Sequence, residues 1–120
     1  MTNHALPLLR RSDQPRIVNV SSGLGSLRAT TDPDRIEFTI DNLVYTSSKA
    51  ALNMVTSQYA KALPDIQVNA VDPGYTATDL NGHSGPQSVA EGAAPVIAAA
   101  AVRADGPTGA FFDGTGVVDW

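Results

Sequence analysis

The 120-residue chain has no cysteine, which excludes disulfides, thiolate metal sites and a cysteine nucleophile. Lysine is nearly as scarce. Lys49 and Lys61 are the only two and the six arginines are scattered, so no basic stripe suits nucleic acid or an anionic membrane surface. Long apolar runs are missing as well: the longest, Ala93 to Val102, is too short to cross a bilayer. The first residues lack the basic-then-apolar order of a secretory signal. His4 and His83 stand alone, without a second ligand at metal spacing, and read as packing residues. What remains is 42% apolar with a net charge of −4, a globular composition sufficient for one domain with a modest core. Together these features predict a soluble, cytoplasmic, single-domain protein.

Periodicity then divides the chain. Thr2 to Arg11 reads as the tail of a helix, with Pro7 awkward inside it, and its abrupt start suggests that sequence once preceded Met1. Arg16 to Val20 is a β-branched strand pattern ended by Ser21-Ser22-Gly23. A long polar connection follows over 23–41, with a small strand or turn at Ile36 to Ile40. Its four acidic residues are expected to be a solvated surface. Asp41 or Asn42 can cap a helix over about 43–63, with Leu52, Val55, Tyr59 and Leu63 toward a core and Tyr45, Lys49 and Thr56 on another side. Ile66 to Val71 is a second strand, broken by Asp72-Pro73-Gly74. Asn69 is expected to be satisfied within that strand. Tyr75 to Gly85 is irregular, Ser88 to Val102 an Ala-rich helix, and Ala110 to Phe112 a third strand. The residues from Asp113 to Trp120 form a tail whose Trp packs on the body. Two successive βαβ units imply a three-stranded parallel sheet with flanking helices.

In such open sheets ligands bind beyond the carboxyl ends of the strands. Two ends are marked here, by Ser21-Ser22 and by Asp72-Pro73-Gly74, and Tyr45 opens the helix between them. Tyr45 and Lys49 are four apart, on one helical face. A phenol ionises near pH ~10, and a neighbouring ammonium favours its charged form, which suits proton exchange with an alcohol or carbonyl oxygen. Ser22, Tyr45, Lys49 and the stretch Pro73–Thr78 can therefore converge on one crevice.

The pieces Ile17-Val18-Asn19-Val20-Ser21-Ser22-Gly23, Tyr45-xxx-Lys49-Ala50-Ala51-Leu52 and Val68-Asn69-Ala70-Val71-Asp72-Pro73-Gly74-Tyr75-Thr76-Ala77-Thr78 resemble the short-chain dehydrogenase/reductase family. Pro107 to Phe112 resembles the last strand of its carbonyl-reductase-like members. The resemblance covers nearly the whole chain in family order and implies part of a doubly wound Rossmann fold. It implies hydride transfer between NADP or NAD, with NADP ahead, and a small carbonyl or secondary alcohol. By the same resemblance Ser22 would hydrogen-bond the substrate oxygen, leaving turn-capping to Ser21. Tyr45 would be the general acid or base, and Lys49 would assist it and bind the nicotinamide ribose. Pro73, Gly74, Thr76 and Thr78 would hold the nicotinamide.

Two features depart from the family pattern. The dinucleotide-binding Gly-rich turn is absent, since Gly23-Leu24-Gly25 belongs to the serine loop and is expected to precede no helix. The family's relay asparagine has no counterpart, and Asn3 is not given that role. Residues 1–120 thus read as the C-terminal, catalytic part of a Rossmann domain without its nucleotide-gripping half, so that dinucleotide binding by this chain alone would be incomplete. The alternative is a non-catalytic fragment or oligomerisation module. A first strand with an open edge would then invite pairing with a further copy or with a missing N-terminal half.

Overall fold

A computed structural model describes residues 2–120 as a four-stranded sheet flanked by helices. In chain order the main elements are α1 (Thr2–Leu9), β1 (Arg16–Val20), α2 (Leu27–Thr30), α3 (Leu43–Ala62), β2 (Gln67–Val71), α4 (Val89–Ala100), β3 (Phe111–Asp113) and β4 (Gly116–Val118). The strands lie in the order β1-β2-β3-β4, the first three parallel and β4 antiparallel to β3. The α/β class is as expected, but the sheet is mixed and has one more strand. Asp113-Gly114-Thr115-Gly116 makes the extra hairpin: Asp113 Oδ1 accepts the Thr115 N–H at 2.7 Å and Gly116 takes a φ of 126°. This return brings Trp120 onto Phe111, with ring centroids 5.4 Å apart and nearly parallel.

Side-chain alternation sorts the layers. Ile17 and Asn19 turn toward α3, where Ile17 meets the Leu63–Ile66–Val68 cluster and Asn19 donates to Thr56 Oγ1 at 2.9 Å. Arg16 points the other way and donates to the Val102 carbonyl just beyond α4. Leu6 and Leu9 bring α1 onto the same cluster as α3, beneath the strand entrances. β2 lies between β1 and β3 and is almost wholly buried, as an apolar parallel strand requires. Asn69 within it is satisfied by Pro107 O and the Ala110 N–H, as expected.

Asn42 provides the cap of α3, accepting the Tyr45 N–H at 3.1 Å, and Leu63 ends the helix before Pro64. The buried side of α3 is the expected one at Tyr59 and Leu63, which reach the lower cluster, but not at Val55. Val55 is 43% exposed, whereas Thr56 is fully buried and Asn53 nearly so. Polar partners on the sheet side let these two residues replace aliphatic contacts there. The connection 23–41 contains no strand. Ile36–Thr39 is a 3-10 turn and α2 is one turn of helix after Gly23-Leu24-Gly25, where none was expected. α2 is held by the returning C-terminus, with the Arg28 N–H donating to Trp120 O and Ser26 Oγ to Asp119 O.

Ile66 is 2% exposed at the centre of the lower cluster. Ile66→Ala is expected to destabilise the chain by about 2–5 kcal/mol, read as a lowered midpoint in urea unfolding.

Candidate active site

The five-residue register of β1 on β2 ends with Val20 opposite Val71, so the segments leaving the two strands begin side by side. The Ser21 N–H donates to Val71 O at 2.7 Å and holds them together one residue further. Ser21 itself is buried, and its hydroxyl donates to Asn53 Oδ1 at 2.5 Å. Ser22 is half-buried and its Oγ accepts the Leu24 N–H at 3.2 Å. Turn-capping therefore falls to Ser22 and not to Ser21, because the first serine's side chain is directed into the α3 interface and only the second lies on the turn's own N-terminal side.

Tyr45 and Lys49 stand on the first turns of α3. The Lys49 ammonium donates to the Val20 carbonyl at 3.0 Å and lies 5.5 Å from the centre of the Tyr45 ring. This contact sets the Tyr–Lys pair at the carboxyl end of β1. The turn carrying Ser22 is pressed against the same stretch of α3: a Cβ added at Gly25 would lie 2.7 Å from the Lys49 carbonyl carbon, so glycine is required there. Asn53, one turn past Lys49, donates to Gly25 O at 3.1 Å while accepting from Ser21. It sits on the same helical ridge as Tyr45 and Lys49, spaced by fours, and that spacing was the signal that could have singled it out.

The loop after β2 is equally fixed. Asp72 Oδ1 accepts the Gly74 N–H at 2.9 Å, and Gly74 has a φ of 75°. Gln87 donates to Pro73 O and, at 2.8 Å, to Thr76 Oγ1, so the Thr76 side chain is engaged within the loop. Thr78 leads into a 3-10 turn and its N–H donates to Asn81 Oδ1 at 3.2 Å. No local sequence pattern marks Gln87, since only the folded loop brings it back over Pro73. Glu37, expected in a solvated face, instead turns inward beside Gly23 and Asp72. Burial alone would raise the Glu37 carboxyl, but the Arg35 guanidinium, at 3.1 Å, holds it below the usual range. Asn3 Oδ1 accepts the Tyr59 hydroxyl at 3.2 Å, toward the other end of α3 from Tyr45.

Two clefts flank the region. One of about 700 Å³ lies between the 24–42 connection and the start of α3, lined by Leu24, Leu27, Phe38, Ile40 and Thr46 among others. The other, of about 320 Å³, is lined by Gly23, Arg35, Asp72 and Asp113. Ser22, Tyr45 and Lys49 line neither.

Three parallel strands whose carboxyl ends carry a serine turn, a Tyr–Lys pair and a Pro-Gly loop make a Rossmann-like α/β arrangement. The chain belongs to the short-chain dehydrogenase family, whose profile, described as short chain dehydrogenase, matches residues 1–88. It is 36% identical to salutaridine reductase of Papaver bracteatum, over 94% of this chain and 47% of that protein. It is 37% identical to (-)-isopiperitenone reductase of Mentha piperita, over 93% and 46%. Among solved structures it superposes on salutaridine reductase from Papaver somniferum with a TM-score of 0.77 at 34% identity, covering 92% of this chain and 49% of that one. For the NADPH-bound carbonyl reductase from chicken fatty liver the TM-score is 0.82 at 26% identity, covering 99% and 51%. The chain thus spans about half the length of the curated relatives it matches.

The donor set fits one end of a nicotinamide dinucleotide. Lys49 has three N–H donors and gives one to Val20, leaving two for a ribose diol beside the Tyr45 phenol. The other end finds no cradle among the described residues. The glycines after β1 are consumed by close packing on α3 and by the Glu37 and Asp72 carboxylates, so their backbone is not open to a pyrophosphate.

Asn53→Ala removes the partners of a buried hydroxyl and a buried carbonyl. It is expected to cost about 1–3 kcal/mol, measured by thermal or denaturant unfolding.

Proposed function

We propose that this chain is the C-terminal, catalytic part of an NAD(P)-dependent short-chain oxidoreductase, acting between the nicotinamide and a small ketone or secondary alcohol. The nicotinamide supplies the hydride when bound. Tyr45 gives its phenolic proton to the carbonyl oxygen in reduction and takes it back in oxidation. Lys49 places a positive charge beside that ring, anchored by the Val20 carbonyl, and offers its remaining donors to the ribose. Ser22 donates to the substrate oxygen as negative charge develops, its turn held rigid against α3. Pro73, Gly74, Thr76 and Thr78 form the nicotinamide wall, stiffened by Asp72 and Gln87. The observation that carries this reading is the Lys49–Val20 hydrogen bond, which brings the Tyr–Lys pair to the strand end that the serine turn leaves. The carbonyl reductase among the similar structures supports a carbonyl substrate. The NADPH-bound neighbour supports NADP ahead of NAD, and the lack of cysteine supports a cytoplasmic setting.

In a preparation that reduces small ketones with NADPH, Tyr45→Phe is expected to lower kcat by about 100-fold or more, followed as the rate of NADPH oxidation. Unchanged turnover would remove Tyr45 from the reaction.

A second reading is favoured by one feature. Among the described residues β1 pairs only with β2, so its outer edge is open, and no pyrophosphate cradle is present. On this reading the 120 residues alone are an inactive module, completed by a nucleotide-binding half or by a further copy. Fluorescence titration of the isolated chain with NADPH and NADH is expected to give no saturable binding below millimolar nucleotide. A micromolar Kd would count decisively against the inactive module.

A further inference from the structure

Thr76 and Thr78 belong to a loop that apolar packing holds poorly, since Tyr75 and Leu80 on it are 58% and 89% exposed. Hydrogen bonds hold it instead. Gln87 secures one side: its side chain donates to Pro73 O and Thr76 Oγ1, and its carbonyl accepts the Ala77 N–H at 2.9 Å. The Thr76 carbonyl and the Thr78 N–H are left over, and one side chain takes both. Asn81 Nδ2 donates to Thr76 O at 2.8 Å, and Asn81 Oδ1 accepts the Thr78 N–H at 3.2 Å. A carbonyl can only accept and an N–H can only donate, so the carboxamide fits one way round and both of its ends are used. We propose that Asn81 is a positioning residue, a carboxamide that bridges Thr76 and Thr78 and so sets the conformation of the nicotinamide-facing part of the loop. The inference rests on the reading that Thr76 and Thr78 face the nicotinamide.

Asn81 is itself well anchored. Its N–H and that of His83 both donate to Thr78 O, at 3.2 and 2.9 Å. Its carbonyl accepts from the Ser84 N–H at 3.2 Å and from the Ser84 hydroxyl at 2.7 Å. That hydroxyl in turn lies 2.6 Å from the Tyr75 hydroxyl, which closes the loop a second time. Gly82 and His83 both have a φ of 59°, in the left-handed region, and they reverse the chain just after Asn81. The strand of loop that returns is pressed on the first: a Cβ added at Gly85 would lie 2.4 Å from the Thr76 carbonyl carbon. The bridge is specific to a carboxamide. Aspartate would keep an acceptor for Thr78 but set an anionic oxygen against the Thr76 carbonyl. Alanine would leave both backbone groups without this partner.

Asn81→Ala and Asn81→Asp test the bridge by hydrogen exchange with mass spectrometry on the 120-residue chain. In both variants residues 76–80 are expected to exchange about tenfold faster, while β2 exchanges as before. In a preparation that reduces ketones with NADPH, both should raise the KM for NADPH about tenfold and leave the KM for the ketone within about twofold. Unchanged exchange over 76–80, or β2 loosening in step with it, would overturn the bridge. Faster exchange with an unchanged KM for NADPH, or with both KM values rising together, would overturn the positioning role. Turnover that survives Tyr45→Phe would instead remove the proton assignment, and the Asn81 results would keep their meaning.

Discussion

The parallel pairing of β1 with β2 is the constraint on which the rest of the structure depends. Five consecutive residues are in register, and the pairing extends past the strand through the Ser21 N–H to Val71 O. Parallel strands exit in the same direction, so their following segments must leave from the same edge. That is why Ser22 and Pro73, fifty-one residues apart in the chain, can belong to one site. The returning helix α3 then has little freedom. Its start must cross the carboxyl end of β1, and Lys49 is anchored there by Val20 O.

The interface between α3 and the sheet is polar where the site lies and apolar where it does not. Leu63, Ile66 and Val68, with Leu6 and Leu9, close the lower end. Toward the upper end Ser21, Asn53, Asn19 and Thr56 replace aliphatic packing with directed hydrogen bonds. Buried polar groups cost stability unless each is paired, and no buried side-chain polar atom is left unpaired among the described residues. Directed bonds fix distance and angle in a way that aliphatic contacts do not. The helix that bears Tyr45 is therefore held in register with the serine turn, and not merely against it.

The same geometry explains why no pyrophosphate cradle is present among the described residues. Phosphate recognition needs backbone N–H groups open at a glycine turn and a helix N-terminus behind them. Here the glycine turn after β1 is folded hard against Lys49 and faces two carboxylates, an arrangement that excludes an anion. The resources of that turn go to positioning Ser22. The relatives, about twice as long, have further chain beyond the matched half, and among the described residues the outer edge of β1 is unpaired.

Much of this was legible in the sequence. β-branched runs placed β1 and β2, Pro64 ended α3, and an Ala-rich stretch from Ser88 placed α4. The Tyr45–Lys49 spacing alone put both side chains on one face of a helix. These features are local, set by backbone propensity and by residues a turn apart, and the order of the elements dictated a parallel sheet. What tertiary structure alone decided was how side chains with more than one use were spent. Thr56 and Asn53 could have been solvated, but Asn19 and Ser21 drew them inward, which displaced Val55 from the core side. Glu37 could have stayed in a polar face, but Arg35 carried it against Gly23. Gly114 could have been a loose tail, but Phe111 and Trp120 had rings to bury against each other. For Thr56 and Asn53 the deciding partner lies far along the chain and for Trp120 across the hairpin, and no local pattern encodes a partner that only folding brings near; for Glu37 it is the nearby Arg35, and the loop decides where that pair sits.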